Sequence, residues 1–279
     1  MPVKKMACTM NVSRSRYYSW LDAPPSEHAR RDRELGEIIG QIYRDNREVY
    51  GSPRVHREMK EDGIHCSRKR IARIMREKGL KGRRKCKFKV TTDSRHDFPV
   101  APNLVGREFT VELPNRVWVS DITYIWTMEG WLYLSIIMDL YSRIVAGWAM
   151  DSHITKELTV DALAMAVTHR SPAPGLVFHS DRGVQYAADG FRERLVEYNM
   201  IQSMSRKGDC WDNACAESFF ATLKTEEVFL RSYKTRAEAK QCIFEYIAVF
   251  YNRKRRHSFL DFVSPEEYEL RMGCSQNVA

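Results

Sequence analysis

An α/β fold is predicted for this 279-residue chain, with a mixed-sheet core over residues 113–279 preceded by a small all-α domain that contains a helix-turn-helix. Three observations predict it. The hydrophobic period changes from helical to extended near residue 112. Beyond that point the elements run β-β-β-α-β-α-β-α, and such alternation after an initial meander indicates a mixed sheet with helices on its faces. Positive charge is concentrated ahead of it: residues 1–93 hold 24 Lys or Arg against 12 acids, whereas residues 94–279 hold 21 against 24. At 43% apolar content the chain has the material for a sizeable core and for one or two domains.

In the basic third, Leu35, Ile38, Ile39, Ile42 and Tyr43 recur at the spacing of one helical face. A second helix starts after Ser52-Pro53, carries Val55 and Met59 inward and stops at Gly63. A third opens at Ser67, turns Ile71, Ile74 and Met75 inward and ends at Gly79. Arg68, Lys69, Arg70, Arg73 and Arg76 occupy the remainder of its surface. Two short helices with a Gly-containing connection, the second one basic, match a motif that presents a helix to the DNA major groove. A small helical bundle with a solvated basic face is the alternative, and the adjoining run Lys81 to Lys89 (KGRRKCKFK) favours DNA. An earlier fragment, Asn11 to Leu21 (NVSRSRYYSWL), reads as a further helical unit. The helix-turn-helix region is therefore placed at 1–90. From Thr91 periodicity is lost and Pro99, Pro102 and Pro114 appear, which gives a linker over 91–112.

The core opens with three consecutive strands, Arg116 to Trp126, Trp131 to Asp139 and Ile144 to Met150, rich in β-branched and aromatic residues. Gly130 and the Tyr141-Ser142-Arg143 turn separate them. A helix follows over Lys156 to His169, then a strand from Leu176 to His179, a helix from Asp189 to Tyr198, a short strand near Ile201 to Met204, and a helix starting near Trp211. A later helix carries Ile243, Tyr246, Ile247 and Phe250 as a core stripe.

No apolar run approaches the roughly 18 residues of a membrane span, and Met1 to Ser15 lacks the apolar stretch of a signal peptide. A cytoplasmic protein without a membrane partner is expected. Seven cysteines, with no CxxC pair, argue against a disulfide framework and a standard zinc site.

Asp121 interrupts the first apolar strand, Asp181 lies just beyond the fourth, and Glu217 lies on the helix after the fifth. Each element reaches one sheet end, where ligands of such sheets bind. A carboxylate in WVSDITYIW is costly to desolvate without a partner, and a metal ion is the strongest partner available. Magnesium takes oxygen ligands and shares carboxylates with substrate phosphates. Two such ions about 3.5–4 Å apart serve an in-line displacement at phosphorus. The 35-residue interval between Asp181 and Glu217 is weak evidence alone, because the chain has 36 acids. Asp139 is a rival carboxylate, read as a structural acid bonding near Ser142 or Arg143. His179 and Ser180 have no identifiable orienting third group, so His179 is read as packing or positioning a ligand.

The surrounding residues resemble a known family. FHSDRGVQY around Asp181, KGDCWDNACAESFFATLKTE around Glu217, the YSR turn after Asp139 and YNRKRRHSFLDFVSPEEY near the end are similar to the catalytic, second-frame type of bacterial insertion-sequence transposase, in the retroviral-integrase (DDE) superfamily. The resemblance covers nearly the whole chain, the helix-turn-helix included. It implies a ribonuclease H-like core and a magnesium-dependent DNA transposase, with Asp121, Asp181 and Glu217 as catalytic metal ligands for two Mg2+ ions and Mn2+ as a substitute. It also implies a basic residue seven positions after the glutamate, at Lys224. Two helical turns place Glu217 and Lys224 on one face, roughly 10 Å apart along the axis, so Lys224 is expected to hold a DNA phosphate; an exposed solubilising lysine is the alternative.

The implied reaction is cleavage at an element end, followed by attack of the freed 3′-hydroxyl on a second phosphodiester, without a covalent enzyme intermediate. The implied partners are double-stranded DNA of element ends and target, further copies of the chain on that DNA, and an upstream-frame DNA-binding product or frameshift fusion. The expected location is the bacterial cytoplasm, at the nucleoid when bound. Arg68, Lys69, Arg70 and Arg73, with Arg253 and Arg256 after the core stripe, are the expected DNA contacts. Asn213 is read chiefly as a structural residue that caps or orients the Glu217 helix. A plain nuclease and a non-catalytic DNA-binding regulator are the other two function classes; the first would cut without joining, and the second would need neither metal nor Glu217.

Overall fold

The computed structural model describes residues 2–83, 99–206 and 210–276. Two compact units form, Met1–Gly82 and Arg83–Ala279. Most of the KGRRKCKFK run and the first part of the expected linker, 91–98, lie outside the described residues.

In the first unit, α1 (Val3–Thr9) and α2 (Arg14–Leu21) precede α3 (Glu27–Asp45), α4 (Ser52–Glu61) and α5 (Arg68–Glu77). The expected stripes become its core: Leu35, Ile39, Ile42 and Tyr43 of α3 are buried, as are Val55 and Met59 of α4 and Ile71, Ile74 and Met75 of α5. Ile38 stays outside this buried set. The α4–α5 turn uses Gly63 at φ +74°, where a side chain would be strained, and Ser67 caps α5 by accepting from the Arg70 amide at 3.3 Å. The helix-turn-helix is thus closed by turn and cap chemistry visible in the sequence.

The second unit is built on a five-stranded sheet of order β3-β2-β1-β4-β5. Its strands are β1 (Val117–Thr127), β2 (Gly130–Asp139), β3 (Val145–Asp151), β4 (Val177–Ser180) and β5 (Ile201–Met204). β1 pairs antiparallel with β2, and β2 with β3. β1 pairs parallel with β4, and β4 with β5. Helices α6 (Lys156–Arg170), α7 (Val184–Ala187), α8 (Asp189–Glu197), α9 (Ala214–Glu226), α10 (Arg236–Phe244) and α11 (Pro265–Gln276) complete it. This is the ribonuclease H-like mixed sheet expected, preceded by the small all-α unit.

One side of the sheet packs Trp118, Ile137 and Phe178 against Ala162, Ala166 and Phe191 of α6 and α8. Contact there is close: a Cβ on Gly147 of β3 would fall 2.4 Å from the Ala162 carbonyl oxygen and 2.6 Å from the Ala166 amide nitrogen of α6. The expected stripe Ile243, Tyr246, Ile247 and Phe250 is buried, and α10 continues as a π-helical stretch, Glu245–Tyr251. Here Glu226 accepts both Nε and Nη2 of Arg255, at 2.6 and 2.7 Å, and the Tyr246 hydroxyl at 2.9 Å. All three side chains are buried.

Residues 99–112, expected as the end of the linker, lie on this unit. Asn103 donates to Asp212 at 2.8 Å, the Leu104 amide donates to Ser203 at 2.9 Å, and Phe109 accepts from Arg143 at 2.7 Å. These polar, long-range contacts leave no periodic signature. Among the described residues no helix is long and apolar enough to cross a membrane.

Candidate active site

Parallel pairing of β1 with β4 runs over Val117–Val119. Asp121 follows two residues later within β1, and Asp181 follows the last residue of β4, so the parallel register brings both acids to the same level of neighbouring strands. Glu217 is brought to them in the first turn of α9. The helix start is anchored by Asn213, whose Nδ2 donates to the Ser120 carbonyl at 3.0 Å. Asn213 therefore orients α9 against β1, and its side chain does not cap the helix.

Asp121 and Asp181 line a cavity of about 660 Å³ with Ile122, Tyr124, Trp131 and Tyr186 among its walls. Asp121 accepts from the Ile122 amide at 2.8 Å, and Asp181 from the Gly183 amide at 2.9 Å. A Cβ on Gly183 would approach the Asp181 carboxylate to 2.9 Å, so a larger residue there would displace that side chain. Burial pushes the Asp121 carboxyl well above the usual carboxylate range; Asp181 and, more weakly, Glu217 push further, against the Ile122 amide and Lys224. Glu217 is raised by burial and then by Asp181. Burial lowers Lys224, opposed by Asp121. The Lys224 ammonium lies 4.8 Å from the centre of the Tyr124 ring.

Under the cavity, the Tyr186 hydroxyl lies 2.8 Å from Ser120 Oγ, which donates to the Ile136 carbonyl at 2.8 Å. The strand carrying Asp121 is thereby tied to the turn that follows Asp181. The oxygen-rich donor set suits a hard divalent cation. Among the described residues no three acidic, histidine or cysteine side chains are gathered into a ready-made metal cage. Asp121 and Asp181 line one cavity, and Glu217 is near enough to repel both, an arrangement that a cation would stabilise.

The rival acid is structural. Asp139 is fully buried and accepts from the Asn115 amide at 2.8 Å, the Tyr141 amide at 3.0 Å and Arg170 at 3.3 Å. The Tyr141 amide lies in the turn expected to bond it, near Ser142 or Arg143, while the Ser142 hydroxyl itself donates to Glu269 at 2.6 Å. His179 is buried between Ser203 at 2.8 Å and Ser205 at 3.3 Å, and burial lowers its pKa to about 4. Ser180 Oγ donates to the Asp181 carbonyl, and His179 is engaged by Ser203 and Ser205 instead. Asp212, also buried, accepts from Arg206, Asn103 and Arg107 and is held below the usual carboxylate range chiefly by Arg206.

The expected DNA-contact cations divide. Arg68 and Lys69 are exposed on α5. Arg70 and Arg73 each bind Asp32 at 2.7 Å, clamping α5 to α3, and they hold the Asp32 carboxyl below its usual range, Arg73 most strongly. Arg253 is exposed and faces Glu266 at 3.2 Å. Arg256, by contrast, is turned inward, 8% exposed, and donates to the Phe262 carbonyl at 2.8 Å. Tyr124, Trp131 and Tyr186 are not singled out by the sequence pattern, which shows them only as strand or motif residues. Proximity of Tyr124 to Asp121 in WVSDITYIW was the available signal.

Comparison with known proteins agrees with this architecture. Two family models described as Integrase core domain match residues 112–210 and 217–272, and an HTH-like domain model matches 29–88. The chain is 45% identical to the "Insertion element IS600 uncharacterized 31 kDa protein" of Shigella sonnei, over 94% of this chain and 97% of that protein. It is 36% identical to "Transposase InsF for insertion sequence IS3A" of Escherichia coli (strain K12), over 96% of this chain and 93% of that one. A solved structure of the HTLV-2 integrase catalytic core domain in complex with magnesium is similar with a TM-score of 0.44 at 15% identity, covering 56% of this chain and 97% of that one. The chain therefore belongs to the insertion-sequence transposases that include those of IS3, DDE-type polynucleotidyl transferases built on an integrase core domain.

Proposed function

We propose that Asp121, Asp181 and Glu217 are the catalytic residues of DNA end cleavage and strand transfer and together hold two divalent cations, Mg2+ or in substitution Mn2+. The observation that carries this reading is that Asp121 and Asp181 line one cavity and Glu217 stands close enough to couple to both, Asp121 being raised by burial, Asp181 and Glu217, and Glu217 by burial and Asp181. When bound, the cations supply charge stabilisation for the attacking and leaving oxygens at phosphorus.

The chain's own residues do the positioning. β1 and β4 fix Asp121 and Asp181 on a rigid sheet, and α9 delivers Glu217 from the facing element. Lys224, two turns further along α9, offers a positive charge to a DNA phosphate beside the acids. Water attacks the phosphodiester at the element end and leaves a 3′-hydroxyl. That hydroxyl then attacks a target phosphodiester, forming one P–O bond as another breaks and releasing a new target 3′-hydroxyl. No protein nucleophile takes part, in keeping with the structural roles of His179 and Ser180. Exposed Arg68 and Lys69 on α5, and Arg253, supply backbone contacts to double-stranded DNA of ends and target. Further copies of the chain, and an upstream-frame product or fusion, assemble on that DNA.

The test is an element-end joining assay with Mg2+. Asp181→Ala is expected to lose joining by about a thousandfold or more while retaining DNA binding in a mobility-shift titration. Unchanged joining overturns the active-site assignment, and cutting without joining by the unaltered chain identifies a nuclease.

A further inference from the structure

β1 and β2 turn four aromatic side chains to one face of their hairpin, because Tyr124 pairs with Tyr133 and Trp126 with Trp131 in register. Trp131 sits edge-on between two of them, with ring centres 5.0 Å from Tyr124 and 4.8 Å from Trp126. Tyr124, Trp126 and Trp131 are 40%, 59% and 43% exposed and packed against one another, and a contiguous exposed aromatic patch marks a binding surface. Tyr124 and Trp131 also line the cavity that contains Asp121 and Asp181, so the aromatic surface is continuous with the acids.

From this we infer that the Tyr124–Trp131 surface is a stacking platform for an unpaired nucleobase next to the phosphate being cut. The inference rests on the DNA-cleaving reading above and adds to it the state of the DNA: a base beside the scissile phosphate leaves its partner strand. Three features favour a base over a protein side chain. Rings exposed on a face, next to a cation, are the means by which proteins hold single strands without reading sequence. The Lys224 ammonium lies over Tyr124 and is influenced by Asp121, so a strand whose base stacks here meets a positive charge on the path toward the acids. Arg236, whose Nε donates to the Trp131 carbonyl at 3.0 Å, adds a second cation at the same edge. The cavity, at about 660 Å³, also lies within the range of about 300–1,000 Å³ typical of small-ligand sites.

The test uses the full chain and two fluorescent duplexes that differ only in a three-nucleotide single-stranded tail. One tail carries 2-aminopurine and the other carries abasic sites. The unaltered protein is expected to bind the base-containing tail about tenfold more tightly than the abasic one, with quenching of 2-aminopurine on binding. Trp131→Ala and Tyr124→Ala are expected to bring that ratio close to one, whereas Trp131→Phe, which keeps a ring, retains most of it. Equal binding of the two tails by the unaltered protein overturns the platform. So does a preference that survives both alanine variants, or a change confined to oligomeric state by light scattering, which would mark the patch as a contact between copies. Because the readout is a binding ratio, loss of strand joining leaves it untouched: a protein that prefers the base-containing tail but never cuts refutes the catalytic reading and keeps the platform.

Discussion

Asp121→Asn is expected to abolish end cleavage and joining, by about a thousandfold or more, and at the same time to make the metal-free protein more stable. Both effects come from one fact: the Asp121 carboxylate is buried and faces Asp181 and Glu217. Its folded pKa lies above its unfolded value, so between the two values the folded chain holds the extra proton. Stability then falls as pH rises through that window, and the full penalty of the charge is present above the folded pKa. Asparagine carries no such penalty. The stability advantage of the variant should therefore be absent below the unfolded carboxylate pKa, grow as pH rises through the window and level off above it. Thermal melts of both proteins in a chelator from pH 4 to 8 measure this. A variant no more stable than the parent at pH 7 would remove the electrostatic basis of the site.

The second large effect concerns stability alone. Arg255→Met strands the buried Glu226 carboxylate, which in the parent accepts two guanidinium bonds and the Tyr246 hydroxyl. Burial disfavours the Arg255 charge, but Glu226 outweighs that and raises the arginine pKa above its ordinary value. Breaking such a pair from one side costs about 3–5 kcal/mol. In a unit of this size about 1 kcal/mol moves the melting temperature by about 2–4 °C, so a drop on the order of 10 °C is expected. Glu226→Leu combined with Arg255→Met should recover most of it, because the uncompensated charge is then gone. If the single variant loses no more than the roughly 0–1 kcal/mol of a surface pair, the buried pair does not hold α9 to the chain beyond α10.

Neither partner of that pair stood out in the sequence, and the reason is general to this chain. Periodicity reports elements that bury one face, and so Leu35, Ile39 and Ile42, the alternating strands, and the stripe Ile243 to Phe250 were legible. Turn chemistry at Gly63 and Ser67 was legible for the same local reason. Interactions between distant polar residues leave no local pattern: Arg255 with Glu226, Asp139 with Arg170, and Asn103 with Asp212 appear only once the chain is folded. The inward turn of Arg256 belongs with them, since a run of four cations reads as a solvated helix end until a carbonyl is found to accept one. α11 has no periodic signature because its apolar positions are sparse. At the site, placement on elements and flanking motifs single out the three proposed acids. The aromatic surface next to them was hidden inside strands that any β-rich core would show.

The central claim is that Asp121, Asp181 and Glu217 hold divalent cations as one set. Thermal melting of the full chain against Mg2+ and Mn2+ concentration, in parallel with Asp121→Asn, tests it most directly, since a ligand that binds only the folded state raises its stability with the logarithm of its concentration above the dissociation constant. The account predicts a midpoint that climbs with cation concentration for the parent and stays flat for the variant. An equal climb in both proteins would contradict it.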